Sequence, residues 1–247
     1  MNCKQRSRAP CGCCCPTTRA NRTVARCRSN LGSALRAIGD VAGASDLFRA
    51  ALESDLQTLG PDHPRVAMRR RNLGSALLAQ DDLQGAIDLF QEALRSDLQA
   101  YGPKHRRVAQ CRNHLGMAFY ERGDLKSAIE SFQAALDSDL CTFGPNHPVV
   151  AIRRNNLGRA CLDNGDCKAA VTQLRLALES DLRNFGPDHA TVACRRGNLA
   201  QALQEQGDLG AAIELLRAAL ESDLRNHNVR DNDVRSVARS RHDLRVA

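Results

Sequence analysis

A step of 42 residues governs what this chain can fold into. Asn30-Leu31-Gly32 returns as Asn72-Leu73-Gly74, His114-Leu115-Gly116, Asn156-Leu157-Gly158 and Asn198-Leu199-Ala200. The same step separates Asp40, Asp82, Asp124, Asp166 and Asp208, and Ser54-Asp55-Leu56 returns at 96–98, 138–140, 180–182 and 222–224. Gly60-Pro61-Asp62-His63 has counterparts starting at Gly102, Gly144 and Gly186. Five units run from about Val24 to Leu224; a sixth begins at Val237-Ala238 after a three-residue insertion and stops at Ala247. A period of this length marks a supersecondary unit that stacks on copies of itself.

Each unit reads as two helices. Leu31, Ala34, Leu35 and Ile38 follow helical spacing, and Gly39-Asp40 then interrupts it. Asp suits an N-cap because its carboxylate accepts free backbone N–H groups of the next helix. Val41, Ala44, Leu47, Phe48, Ala51 and Leu52 form the apolar stripe of that second helix. Gly60 is expected to end it in a left-handed cap, and Pro61 prevents continuation. Small residues at Ala44, Ala86, Ala128, Ala170 and Ala212, and at Gly32, Gly74, Gly116 and Gly158, mark close helix approach. One pair cannot bury its apolar face alone. The expected fold is therefore all-α, a right-handed superhelical solenoid of stacked antiparallel helix pairs.

Composition agrees. The chain is 43% hydrophobic but only 3% aromatic, so its core is Leu, Ala, Val and Ile, which favours helices. No stretch approaches a membrane span, and no apolar run follows the basic N-terminus as in a secretory signal. The net charge of +7 belongs to the tails: residues 1–28 hold seven Lys and Arg and no acid, whereas residues 29–224 sum to −3. The expected organisation is a disordered, basic, Cys-rich leader over 1–23, five repeats over 24–224, and a basic insertion with a partial sixth repeat over 225–247. Eleven cysteines, five of them in the first fifteen residues, lack the even spacing of a disulfide scaffold, so reduced thiols in a cytoplasm are expected.

Leu115-Gly116, Ala118, Gly123, Ala128, Phe132 and Ala135 resemble the tetratricopeptide repeat. The 42-residue period and the Gly-Pro-Asp-His-Pro loop with Val-Ala and Asn-Leu resemble more narrowly the kinesin-light-chain type. The resemblance implies a non-enzymatic scaffold that binds a peptide segment of a protein partner in a concave groove. It places Asn30, Asn72, His114, Asn156 and Asn198 along that groove, with Arg71, Asn113, Asn155, Ser33, Ser75, Arg159 and Gln201 as neighbours. A primary amide donates and accepts, so it can hold a peptide backbone; the same amides could instead tie one helix to the next. Arg71 and Arg159 would favour acidic segments.

The chain departs from that family at Arg28, Arg70, Arg112, Arg154, Arg196 and, in the partial unit, Arg241, where an apolar residue is usual, and at Ser54-Asp55-Leu56 and its copies. The constant spacing predicts inter-repeat pairs Asp55–Arg70, Asp97–Arg112, Asp139–Arg154 and Asp181–Arg196, with an Arg ladder facing ligand as the rival. Other signals point to less. His63, His105, His147 and His189 lie too far apart for one metal and are expected to shape the loops. No phosphate loop, zinc-protease motif or nucleophile context is present, so no catalytic residue, metal or cofactor is expected. The basic tails leave an alternative, weak and salt-sensitive association with nucleic acid.

Overall fold

The computed structural model describes residues 16–226, which form ten helices and no strand. A first compact unit ends at Pro103 and holds α1 (Pro16–Ala37), α2 (Val41–Leu59), α3 (Pro64–Ala79) and α4 (Leu83–Tyr101). A second begins at Lys104 and holds α5 (Arg106–Glu121), α6 (Leu125–Phe143), α7 (Pro148–Asp163), α8 (Cys167–Phe185) and α9 (Ala190–Gln206), followed by α10 over 209–226. Odd-numbered helices are the first of each repeat (A) and even-numbered ones the second (B). From α1 to α4 and from α5 to α9 each helix packs on the next, and the A helices α1 and α3, and α7 and α9, also touch. The fold class is the expected all-α solenoid of stacked antiparallel pairs. α1 starts at Pro16, upstream of the expected boundary at Val24. Residues 1–15 and 227–247, with most of the leader and the partial sixth repeat, lie outside the described residues.

Short polar signals set the helix ends. Asp40, Asp82, Asp124, Asp166 and Asp208 each accept the backbone N–H three residues on, at 2.9–3.2 Å. Each loop His caps the following A helix: Nδ1 of His63, His105, His147 and His189 accepts from the backbone N–H two residues later, at 3.1–3.2 Å. The glycines that end the B helices do not adopt the expected left-handed helical cap. Gly60, Gly102, Gly144 and Gly186 have φ of 78–81° with ψ of 165–170°, a region that residues with a Cβ avoid.

Inside each pair, glycine sets the helix separation. A Cβ on Gly74 would lie 2.7 Å from Phe90 Cε1; on Gly116, 2.7 Å from Phe132; on Gly158, 2.7 Å from Leu174 Cγ. The ring or isobutyl group occupies the space a side chain would need. In the fifth repeat Ala200 and Leu216 replace this combination, and Leu216 is exposed.

Between pairs, the Ser-Asp-Leu carboxylate is buried and paired, but one residue away from the expected partner. Asp55 accepts from Arg69 Nε at 2.8 Å, Asp139 from Arg153 Nε at 2.9 Å and Asp181 from Arg195 Nε at 2.9 Å. Asp97 pairs with Arg71, inside its own repeat. Arg70, Arg154 and Arg196 do other work. Arg70, Arg154 and Arg196 donate to the carbonyls of Pro61, Pro145 and Pro187, at 2.7–3.0 Å. Arg112 reaches Ser138 Oγ at 2.8 Å and the Ala134 carbonyl at 3.2 Å. A count from the loop does not separate neighbouring helical residues, yet each step turns the side chain by about 100°. That rotation points Arg69 at the preceding B helix and Arg70 at its own. The ligand-facing Arg ladder is excluded for Arg70, Arg154 and Arg196, which are buried.

Two stability predictions follow from this packing. Gly116→Ala should destabilise by about 1–3 kcal/mol through overpacking against Phe132. Gly197→Ala, where nothing lies within 4 Å of the new Cβ, should stabilise by up to about 1 kcal/mol. Urea midpoints of the two variants should move in opposite directions. For the junction, Arg153→Met should cost about 3–5 kcal/mol by stranding the Asp139 charge, and adding Asp139→Leu should recover most of it. Burial pushes the Asp139 carboxyl above its ordinary value, against the opposing pull of Arg153. Its linked contribution is therefore full below the ordinary carboxylate range and lost as pH rises through the raised value. Arg153→Met alone should accordingly be less damaging at acidic pH, which pH-dependent melting measures.

Candidate functional site

The A helices of each unit carry the residues with freedom to meet a partner. In unit 1, α1 and α3 flank a cavity of about 630 Å³. Its lining includes Arg22, Arg26, Asn30 and Ser33 from α1 and Arg65, Met68 and Asn72 from α3, with no acidic residue. Arg22 and Arg26 stand one helical turn apart, on the side of α1 away from the Val24–Leu31 stripe. Arg65, in the first turn of α3, lies 3.8 Å from Asp55 Oδ1 and keeps a third of its side chain exposed. Arg69 lies beneath, held by Asp55. The pocket thus presents guanidinium groups, amides and hydroxyls over one apolar side chain.

In unit 2, a smaller cavity of about 80 Å³ lies among Met117, Tyr120, Glu121, Phe132, Asn156 and Arg159. The Arg159 guanidinium sits 5.5 Å over the Tyr120 ring and donates to its hydroxyl at 3.4 Å. Tyr120 in turn donates to the Asp163 carboxylate. Burial, then the hydrogen bond to Asp163, pushes the Tyr120 hydroxyl above the ordinary phenol value. The cluster is an aromatic platform edged by the Arg159 cation and by the carboxylates of Glu121 and Asp163.

The expected groove residues divide in two. Asn30 and Asn72 line the unit 1 cavity; Asn156 and Arg159 line the one in unit 2. His114 is half-buried in α5, and Gln201 is exposed on α9. Arg71, Asn113 and Asn155 are buried. Arg71 is taken by Asp97, so its expected role toward acidic ligands fails. Ser33 and Ser75 donate to carbonyls one turn back in their own helices.

The asparagines also tie consecutive A helices. Asn72 Nδ2 donates to Ser29 Oγ at 3.2 Å, Asn156 Nδ2 to Asn113 Oδ1 at 3.0 Å and Asn198 Nδ2 to Asn155 Oδ1 at 2.7 Å. An amide has two N–H donors and a carbonyl acceptor, and the tie uses one donor. The residues that the repeat pattern did not single out are Arg22, Arg26, Arg65, Met68 and Met117. The signal was there in Arg22 and Arg26, two cations spaced i, i+4 on one helix face.

Among the described residues no helix is long and apolar enough to cross a membrane. Family models for the tetratricopeptide repeat match residues 23–99, 86–140 and 195–222, together more than half of the chain. A search of curated proteins returned no significant match. Solved structures are similar in fold. Nearly identical kinesin-light-chain TPR-like repeats from Podosopora anserina share 21% identity over 83% of this chain and 97% of that one, with a TM-score of 0.73. BtubC (BKLC) from P. vanneervenii shares 20% over 84% and 82%, with a TM-score of 0.74. The apo form of RapI shares 16% over 83% and 72%, with a TM-score of 0.71. The chain is a member of the tetratricopeptide repeat family, with repeats similar to the kinesin-light-chain type.

Proposed function

We propose that the protein is an interaction scaffold whose unit 1 cavity holds an acidic peptide segment of a protein partner. The carrying observation is the cavity lining, in which Arg22, Arg26 and Arg65 surround Asn30 and Asn72 with no acidic residue. Carboxylates would meet the guanidinium groups, which bind them in a planar fork. The asparagine amides would hold the peptide backbone, using the donor and acceptor that the helix tie leaves. Met68 gives the floor an adaptable apolar surface. The tetratricopeptide fold typically serves as a scaffold for protein partners and not as an enzyme.

The alternative of nucleic-acid association rests on the tails, which lie mostly outside the described residues. Both readings meet in one experiment. Fluorescence anisotropy should show a labelled extended Asp/Glu-rich peptide binding, its Lys-rich counterpart not binding, and a single-stranded RNA failing to compete. Arg22→Glu/Arg26→Glu should weaken the acidic peptide at least about tenfold, equal to about 1.4 kcal/mol. Added salt should weaken it too. Unchanged affinity in the double variant would reject the cavity as the site, and tighter binding of RNA than of peptide would favour the alternative.

A further inference from the structure

α1 and α10 each leave bare a face that is covered elsewhere in the fold. On α1 the stripe is Val24, Arg28 and Leu31. In α3, α7 and α9 the same positions are Val66, Arg70 and Leu73; Val150, Arg154 and Leu157; and Val192, Arg196 and Leu199, all buried. Leu31 is 54% exposed where Leu73 is 5%. Each of those three helices packs on a preceding B helix of its own unit, and α1 follows none among the described residues.

On α10 the bare residues are Ile213, Leu216, Leu220 and Leu224. The positions of Leu216 and Leu220 correspond to Phe48 and Leu52 on α2, Phe132 and Leu136 on α6, and Leu174 and Leu178 on α8, all buried. Leu220 is 60% exposed where Leu52 is 7%. α2, α6 and α8 each pack on a following A helix, and no described helix follows α10.

The two faces are therefore the two halves of one junction, the one built inside each unit wherever a B helix meets the next A helix. We propose that α10 of one copy of this chain packs against α1 of a second copy, head to tail. A single contact of this kind covers both apolar stripes; the rival occupant of α10 is the chain's own partial sixth repeat, where Val237, Arg241 and Leu244 recur at the positions of Val24, Arg28 and Leu31, and it would leave Val24 and Leu31 bare. Charge agrees. α1 has no acid between Pro16 and Ala37 and carries Arg28 on the stripe itself, and α10 carries Glu214, Glu221 and Asp223 against Arg217 and Arg225. Asp223 holds the position of Asp55, Asp139 and Asp181, each of which is buried against an Arg. Cys27 stands at the position of that Arg on α1, so Arg28, next to it and on the stripe, supplies the cation. The contact is heterologous, using different surfaces of the two copies, so it propagates unless one surface is blocked.

Sedimentation velocity on the full chain across a concentration series tests this directly. The expected result is a mass that rises with concentration. Leu31→Glu and Leu220→Glu should each give monomers, and both sites are exposed, so both variants should keep wild-type helicity by circular dichroism. Mixed together, they should form a one-to-one dimer and nothing larger, because each retains the face the other lacks. A full chain that stays monomeric throughout overturns the proposal, as does a mixture that stays monomeric or a variant that still self-associates. A monomeric full chain that begins to associate when residues 227–247 are deleted also overturns it, and shows that this segment covers α10. The stripe lies on the opposite side of α1 from Arg22 and Arg26, so acidic-peptide binding should survive Leu31→Glu and the two proposals fail separately.

Discussion

A carboxylate buried at each junction between helix pairs is what the rest of the structure depends on. Asp55, Asp97, Asp139 and Asp181 are at most 1% exposed. An isolated charge there would be far too costly, so a guanidinium must come to each. Where the cation is Arg69, Arg153 or Arg195, it also fixes the rotation of the A helix. With that residue turned toward the preceding B helix, the next one along, Arg70, Arg154 or Arg196, points at the loop proline carbonyl. Three positions beyond the pairing Arg, Asn72, Asn156 and Asn198 then face the neighbouring A helix. The residues left facing outward are those that line the cavities. The junction pair adds little net stability of its own, and its effect on the site is to set angles.

The departures from the pattern obey the same rule. Cys111 occupies the position of Arg69, Arg153 and Arg195, and Arg71 occupies the position of Ser29, Asn113, Asn155 and Gly197. The carboxylate between them in sequence, Asp97, is paired with Arg71. Arg71 supplies the cation, and the carboxylate remains buried. The two substitutions make sense together and not singly.

Much of this was legible in the sequence, because a repeat states its rules several times over. The period, the helix pairs, the Asp caps, the close-approach glycines and the buried carboxylate all follow from residues that recur. The identity of the paired Arg did not follow. Consecutive arginines at 69–71, 153–154 and 195–196 offer adjacent candidates, and the choice depends on a helix rotation that spacing alone does not give. Gly60 and its counterparts show the same limit: glycine signals a positive φ, but ψ depends on where Pro61 and His63 must go. Asn72 and its counterparts were legible as polar residues in register, but whether they face a ligand or each other depends on how close the A helices come.

The site itself comes from the positions that do not repeat. Arg22 shares its position with Pro64, Arg106, Pro148 and Ala190, and Arg26 shares its position with Met68, Gln110, Ile152 and Cys194. These positions vary because no junction constrains them, and variation there changes the chemistry of each cavity without moving a helix. In unit 1 it places Arg22 and Arg26 beside Arg65; in unit 2 the lining is instead Met117, Tyr120 and Arg159. The large number of arginines is therefore a poor guide to the charge a partner meets. Arg69, Arg70 and Arg71 are buried in the frame, whereas Arg22, Arg26 and Arg65 line the unit 1 cavity. In such a stack, the recurring residues determine the shape of the groove and the irregular ones determine what it recognises.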